Sequence, residues 1–199
     1  GVNSALISGY LTAGDVKYAD INGNGMIDNG DKRRLGKNHT PRGQYGINMN
    51  FQYKGFYLSM LFQGSTAFDM YLSGVTTMQT GQAGQLPVAY KYQEDSWTPG
   101  NTNAKYPRLY QAQTHNLLMS DYWLENASYL RLKNVQLGVT IPKNIIKKVG
   151  LERLRFYFSA DNLCTITNYF GAYDPEVHAS SGDAYPQVKT FIFGVQTTF

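Results

Sequence analysis

The spacing best suited to chemistry lies in residues 20–31, Asp20-Ile21-Asn22-Gly23-Asn24-Gly25-Met26-Ile27-Asp28-Asn29-Gly30-Asp31. Counted from Asp20, oxygen-bearing side chains fall at loop positions one, three, five, nine and twelve: Asp20, Asn22, Asn24, Asp28 and Asp31. Gly25 stands at six, where a sharp turn is needed, and Ile27 at eight. A hard cation takes six to eight oxygens, and alternate side chains joined by the Met26 carbonyl can converge on one. This is the pattern of a calcium loop. Two features depart from it. Position twelve holds Asp31, one methylene shorter than the usual bidentate Glu, and the flanks Val16-Lys17-Tyr18 and Lys32-Arg33-Arg34 show no helical period. The expectation is an isolated calcium-type loop that pins a loop rather than switches one. The alternative is an Asx-rich turn that holds no metal.

Other chemistry finds little support. His39, His115 and His178 fall in three separate stretches without paired spacing. No nucleophile elbow, CxxC pair or phosphate-cradling glycine loop occurs, so the chain is expected not to be an enzyme and to have no catalytic residues. The formal charge of +4 is spread along the chain, and Lys32-Arg33-Arg34 directly follows the acidic loop. A nucleic-acid partner would need a concentrated basic stripe, so none is expected. The single Cys164 allows no internal disulfide. The aromatics Tyr71, Tyr90, Tyr92, Trp97, Tyr106, Tyr110, Tyr122 and Trp123 suit sugar rings and peptide side chains, but equally suit packing between loops.

The elements that must position this loop are strands. In 45–53, Tyr45, Ile47, Met49, Phe51 and Tyr53 alternate with Gly46, Asn48, Asn50 and Gln52. Lys54-Gly55 is a tight turn, and Phe56, Leu58, Met60 and Phe62 then alternate with Tyr57, Ser59, Leu61 and Gln63. A third strand is expected near 128–141, with Val135, Leu137, Val139 and Ile141 on one face. Leu130 and Leu132 have the opposite parity, which calls for a bulge or a non-lipid segment. Residues 142–151 make a short basic turn, with one helical turn. The next strand sets Leu154, Phe156, Phe158, Ala160, Cys164 and Ile166 against Arg155, Tyr157, Ser159, Asp161, Thr165 and Thr167. The last carries Phe191, Phe193, Val195 and Phe199 on its apolar side.

Composition says which solvent such strands face. The chain has 16 Tyr, 10 Phe and 20 Gly but only 16% charged residues, against about 25% in ordinary soluble domains. No run of about 18 apolar residues exists, so a membrane-spanning helix is excluded. Alternation alone fits a soluble sheet with one buried face. Three features favour a transmembrane barrel instead. Connections are short at 54–55 and 142–153 but long at 64–127 and 168–185, as in barrels with periplasmic turns and outer loops. The polar face holds amides, hydroxyls and Arg rather than dense Lys and Glu. A closing Phe199, preceded by alternate apolar residues, matches an assembly signal for the outer membrane. The expected fold is therefore all-β: about five C-terminal strands of an antiparallel transmembrane β-barrel with long extracellular loops. Parity with Phe199 assigns Phe191, Phe193, Val195, Phe156, Phe158, Ile47, Met49, Phe51, Leu58 and Met60 to lipid. The opening Gly1-Val2-Asn3 lacks both an initiator Met and a signal peptide, so 1–199 is expected to be part of a longer polypeptide.

Several segments resemble the C-terminal region of the SusC/RagA family. They are Gly14-Asp15-Val16-Lys17-Tyr18-Ala19-Asp20 running on through Gly25, Tyr53-Lys54-Gly55-Phe56, and Ser120-Asp121-Tyr122-Trp123-Leu124-Glu125-Asn126 through Asn134. Ser159-Ala160-Asp161-Asn162-Leu163, Gly171-Ala172-Tyr173-Asp174-Pro175-Glu176 and Tyr185-Pro186-Gln187 onward complete the set. The resemblance implies a 22-stranded plugged barrel in the outer membrane. It also implies TonB-driven import of oligosaccharide or peptide, a SusD-like lipoprotein lid, and TonB contact through an N-terminal part absent here. Residues alone also allow a soluble, calcium-stabilised β-rich binding module, or a barrel segment serving mainly as a docking surface for a lipoprotein.

Overall fold

The computed structural model describes residues 11–35, 39–72, 94–109, 115–169, 174–177 and 187–199. Two compact units share the chain, one formed by 1–37, 71–124 and 180–182, the other by 38–70, 125–179 and 183–199.

The second unit is built on a five-stranded antiparallel sheet. Its strands are β1 (Gly43–Tyr53), β2 (Phe56–Thr66), β5 (Tyr129–Thr140), β6 (Arg153–Thr167) and β7 (Thr190–Thr198), in the order β1-β2-β5-β6-β7. Two short strands, β3 (Asp69–Tyr71) and β4 (Leu124–Asn126), pair separately. Among the described residues the large sheet is open, with β1 and β7 as its outer strands. No described helix is long and apolar enough to cross a membrane, which says nothing of strands.

The turns follow from residue type. Lys54 and Gly55 have φ of 45° and 87°, the two positive values of a type I′ hairpin. Gly55 has a second constraint, since a Cβ there would stand 2.7 Å from the Thr140 carbonyl oxygen. The basic segment after β5 forms one helical turn, α1 (Lys143–Ile146), and a 3-10 turn, as its sequence suggests.

Register turns the alternation within each strand into rows across the sheet. Phe51 faces Leu58, Leu58 faces Leu137, Leu137 faces Phe158, and Phe158 faces Phe193. The neighbouring row runs Met49, Met60, Val135, Ala160 and Phe191. The other face carries Asn50, Ser59, Gln136 and Ser159, and also Gln52, Tyr57, Gly138, Tyr157 and Gly194. Ile192 and Leu61 are its apolar exceptions. Much of the apolar face lies open, with Phe51 56% exposed, Leu137 49% and Phe193 80%, while Leu58 and Phe158 are half-buried and Ala160 is buried.

The parity conflict in the third strand has a structural cause. The register slips at Lys133, because Leu132 faces Phe62 while Asn134 faces Leu61, and β6 opposes the slip at Asn162, whose φ is 53°. The bulge returns Leu130 and Leu132 to the face of Val135 and Leu137. β2 also runs further than its sequence suggests. Gly64, Ser65 and Thr66 read as the start of the long connection because they are small or polar, yet β2 runs through them, and Gly64 and Ser65 face Leu130 and Tyr129.

Candidate functional site

In the calcium-type loop the side-chain oxygens of Asp20, Asn22, Asn24 and Asp31 accept from backbone N–H groups. Asp20 Oδ1 accepts from Gly23 and Asn24, and Oδ2 from Gly25, at 2.7–3.2 Å. Asn22 Oδ1 accepts from the Asn24 N–H, and Asn24 Oδ1 from that of Met26. Positive φ at Gly23 and Gly25, 72° and 81°, lets the chain curl this tightly. Asp31 closes the loop, accepting from Ile21 and Asn22 on Oδ1 and from Asp28 on Oδ2. The Asp28 N–H, followed by those of Ile21 and Asn22, holds the Asp31 carboxyl below the usual range, with the Asp20 side chain adjoining it. Asp28 does different work: it caps the 3-10 turn 29–31 by accepting from Gly30.

Thus the structure draws Asp20 and Asp31 together and sets Asp28 aside as a cap. The donor set is all oxygen, as a hard cation needs. Among the described residues no group of three or more His, Cys, Asp or Glu side chains gathers as metal ligands.

The loop grows from a cluster whose partners are far apart in sequence. Asp15 receives two hydrogen bonds from Arg108, at 2.8 and 3.0 Å, and one from the Asn116 side chain at 3.0 Å. Burial pushes its carboxyl upward, but Arg108, the Thr12 N–H and Asn116 together outweigh that and hold it below the usual value. Asn116 Oδ1 in turn accepts from the Val16 N–H, and His115 Nε2 lies 2.7 Å from the Val16 carbonyl. Burial pushes the Tyr18 phenol up to about 12, so it stays neutral and donates to the His115 carbonyl. His115 and Asn116 are both buried.

The aromatics here are packing groups. Trp123 is buried, donates to the Asn116 carbonyl at 2.7 Å and stacks on Tyr106 at 6.5 Å. Tyr122 meets Trp123 edge-on and donates to the Lys105 carbonyl. The Trp97 ring covers Gly14, where any Cβ would collide with it at 2.4 Å. Tyr71 is half-buried in β3. Tyr90, Tyr92, Tyr110 and His178 lie outside the described residues.

No family model matches the chain. It is 32% identical over 209 aligned residues to TonB-dependent receptor P3 of Formosa agariphila, covering 98% of this chain and 20% of that protein. It is 30% identical over 187 residues to TonB-dependent receptor SusC of Bacteroides thetaiotaomicron, covering 92% and 17%. In structure it is similar to the RagAB peptide importer in its closed-closed state, with a TM-score of 0.65 at 27% identity, over 93% of this chain and 21% of that one. The chain is SusC/RagA-like. TonB-dependent receptors are outer-membrane proteins of nutrient import and are not enzymes, in agreement with the expectation that the chain is not one. The chain spans about a fifth of the length of the curated relatives it matches.

The SusC/RagA-like segments meet one another in space. Asp15 and Val16 of the first are bonded to Asn116, which accepts from Trp123 of the third. On the sheet, Arg131 is 1% exposed and pairs with Asp174 at 2.5 Å. Its Nη1 lies 3.0 Å from Glu176, which also holds Lys133 at 3.1 Å, and its Nε donates to Thr165. None of these pairings was anticipated from spacing. The one available signal is that cationic Arg131 and Lys133 lie in one SusC/RagA-like segment, and acidic Asp174 and Glu176 in another.

Proposed function

We propose that the chain forms the C-terminal strands of a TonB-dependent outer-membrane transporter that imports glycan fragments or peptides. A SusD-like lipoprotein would cover the outer side, and TonB would act through the part of the polypeptide outside this chain. The observation that carries the reading is the set of open apolar rows, such as Phe51-Leu58-Leu137-Phe158-Phe193, backed by an amide- and hydroxyl-rich face. Water would penalise those rows at about 25 cal/mol per Å², while hydrocarbon would not. The unpaired outer edges of β1 and β7 would cost several kcal/mol per backbone group in lipid, so the reading needs neighbouring strands from the rest of the protein. The likeness to the RagAB peptide importer supports peptide as one substrate class.

β1 begins, β2 ends, β5 begins and β6 ends at one edge of the sheet, where the long connections are, and the two short turns lie at the other. In membrane barrels the short turns are periplasmic, which supports an outer location for the segment before β1. There the calcium-type loop would meet a calcium-rich medium. With Asp31 at position twelve, its affinity belongs in the range of about 10⁻⁴–10⁻³ M seen for extracellular modules.

Adjacent residues on opposite faces test the reading. In the full-length protein folded into lipid, Leu137→Arg should cost about 2–4 kcal/mol, and Gln136→Arg much less. Equal costs would remove the lipid assignment. Cooperative, detergent-free melting of the full-length protein as a soluble monomer would favour the binding module.

A further inference from the structure

The polar face carries two pairs of cations in contrasting surroundings. Arg131 and Lys133, towards the long-loop edge, are answered by Asp174 and Glu176 of this chain. Arg153 and Arg155 lie at the short-turn edge, where β6 begins, and among the described residues no carboxylate pairs with either.

Arg155 is nonetheless held in place. Its Nε donates to the Tyr57 hydroxyl at 2.9 Å, and its guanidinium lies 4.1 Å from the Tyr57 ring centre and 5.8 Å from that of Tyr157. The rings are fixed by glycines on neighbouring strands. A Cβ at Gly138 would stand 2.2 Å from the Tyr57 ring, and one at Gly194 2.2 Å from the Tyr157 ring. The row Gln52-Tyr57-Gly138-Tyr157-Gly194 therefore alternates ring and glycine, so each ring can lie flat against the sheet. The arginines open into a cleft of about 430 Å³, shared with Gln52, Tyr57, Ser59 and Thr140. A guanidinium stacked on one ring and tied by Nε keeps its two terminal nitrogens in a preset fork, the geometry that takes a carboxylate.

We infer that this cleft is a carboxylate socket, filled by an acidic side chain from the part of the same polypeptide outside these residues. About four fifths of the length of the relatives lies outside the matched region, and this chain alone carries a net charge of +4. The socket is built from strand residues at the short-turn edge, so it suits a permanent occupant. A passing substrate would leave two neighbouring like charges unanswered between turnovers. The inference rests on the barrel reading in one respect, that a closed barrel turns this face towards the remaining polypeptide.

The test uses the full-length protein with Gln52→p-benzoylphenylalanine, which leaves Arg153, Arg155 and Tyr57 in place. Irradiation and peptide mapping should find a crosslink to an Asp- or Glu-bearing segment of the same polypeptide. Arg155→Glu should then lower the yield of assembled protein about tenfold or more. Exchanging the mapped carboxylate for Arg should restore most of it, a rescue that loss of ring stacking alone would not allow. Crosslinks only to a lipoprotein partner or to added peptide or oligosaccharide, no crosslink at all, or failure of the charge exchange would each overturn the socket. Insertion of the unmodified protein into lipid is measured alongside. If that fails the barrel reading falls, while the crosslink map still decides the socket.

Discussion

In the five-stranded sheet Phe193 and Phe51 stand open while the polar residues share the opposite face; around Asp15 the arrangement is reversed. There Trp123 and Tyr106 are buried, and Asp15, Asn116 and His115 Nε2 are answered by Arg108, by one another and by backbone. Under the proposed function the difference reflects the solvent that each region meets. The sheet is held by continuous backbone ladders and leaves apolar side chains such as Phe51 and Phe193 more than half exposed, which suits the hydrocarbon surrounding proposed above. The loop unit pairs Asp15 and Asn116 internally and buries Trp123 and Tyr106, as suits a structure bathed in water.

The largest effect expected within this contrast is at Arg131, the sheet's one deeply buried charge. Arg131→Ala should cost about 3–5 kcal/mol in unfolding from lipid, because Asp174 would lose its cation and Glu176 would keep only Lys133. Arg131→Ala combined with Asp174→Asn and Glu176→Gln should recover much of the loss. If the single and triple variants unfold alike, the cluster does not tie these residues to the sheet.

Asp15 comes next. Its carboxyl is lowered in the folded state, so the stability it contributes is complete above the unfolded value near 3.9 and is lost as pH falls through the folded one. Asp15→Asn should cost about 1.5–3 kcal/mol near neutral pH, the worth of hydrogen bonds to a charged group. It should also flatten the acid dependence of proteolysis at 94–109. An acid profile unchanged by the substitution would show that another group governs this unit.

The smallest effect belongs to the calcium-type loop. At ten times its dissociation constant calcium would add about 1.4 kcal/mol, felt locally. Chelator should raise protease cleavage within 20–35 in the unaltered protein and do nothing in a variant with Asp20→Ala and Asp31→Ala. Identical cleavage with and without chelator would leave an Asx-rich turn, its carboxylates held by backbone N–H groups alone.

The same contrast explains what could be read from residues alone. The period of two in Tyr45–Tyr53 and Phe56–Gln63 fixes which side chains share a face, and the register carries that assignment across all five strands. The parity change at Leu130 and Leu132 even announces the bulge at Lys133. In the loop unit nothing local signals the outcome. Asp15 meets Arg108 and Asn116 across 93 and 101 residues, a pairing that leaves no periodic trace. The calcium spacing fixes a curled loop with Asp20 beside Asp31, yet Asp28 turned to capping, which spacing cannot distinguish from ligation. The cleft at Arg155 is hidden for another reason: only register shows a tyrosine lying on Gly138 and another on Gly194.

The most direct measurement places nitroxide labels, one at a time, at Leu137, Phe158, Gln136 and Ser159 of the full-length protein in bilayers. Collisions with oxygen, which concentrates in hydrocarbon, are compared with collisions with a water-soluble nickel chelate. Labels at Leu137 and Phe158 should favour oxygen, and those at Gln136 and Ser159 the chelate, alternating residue by residue across neighbouring strands. Chelate access at all four positions, or oxygen preference on the amide face, would contradict the lipid-facing assignment of the apolar rows.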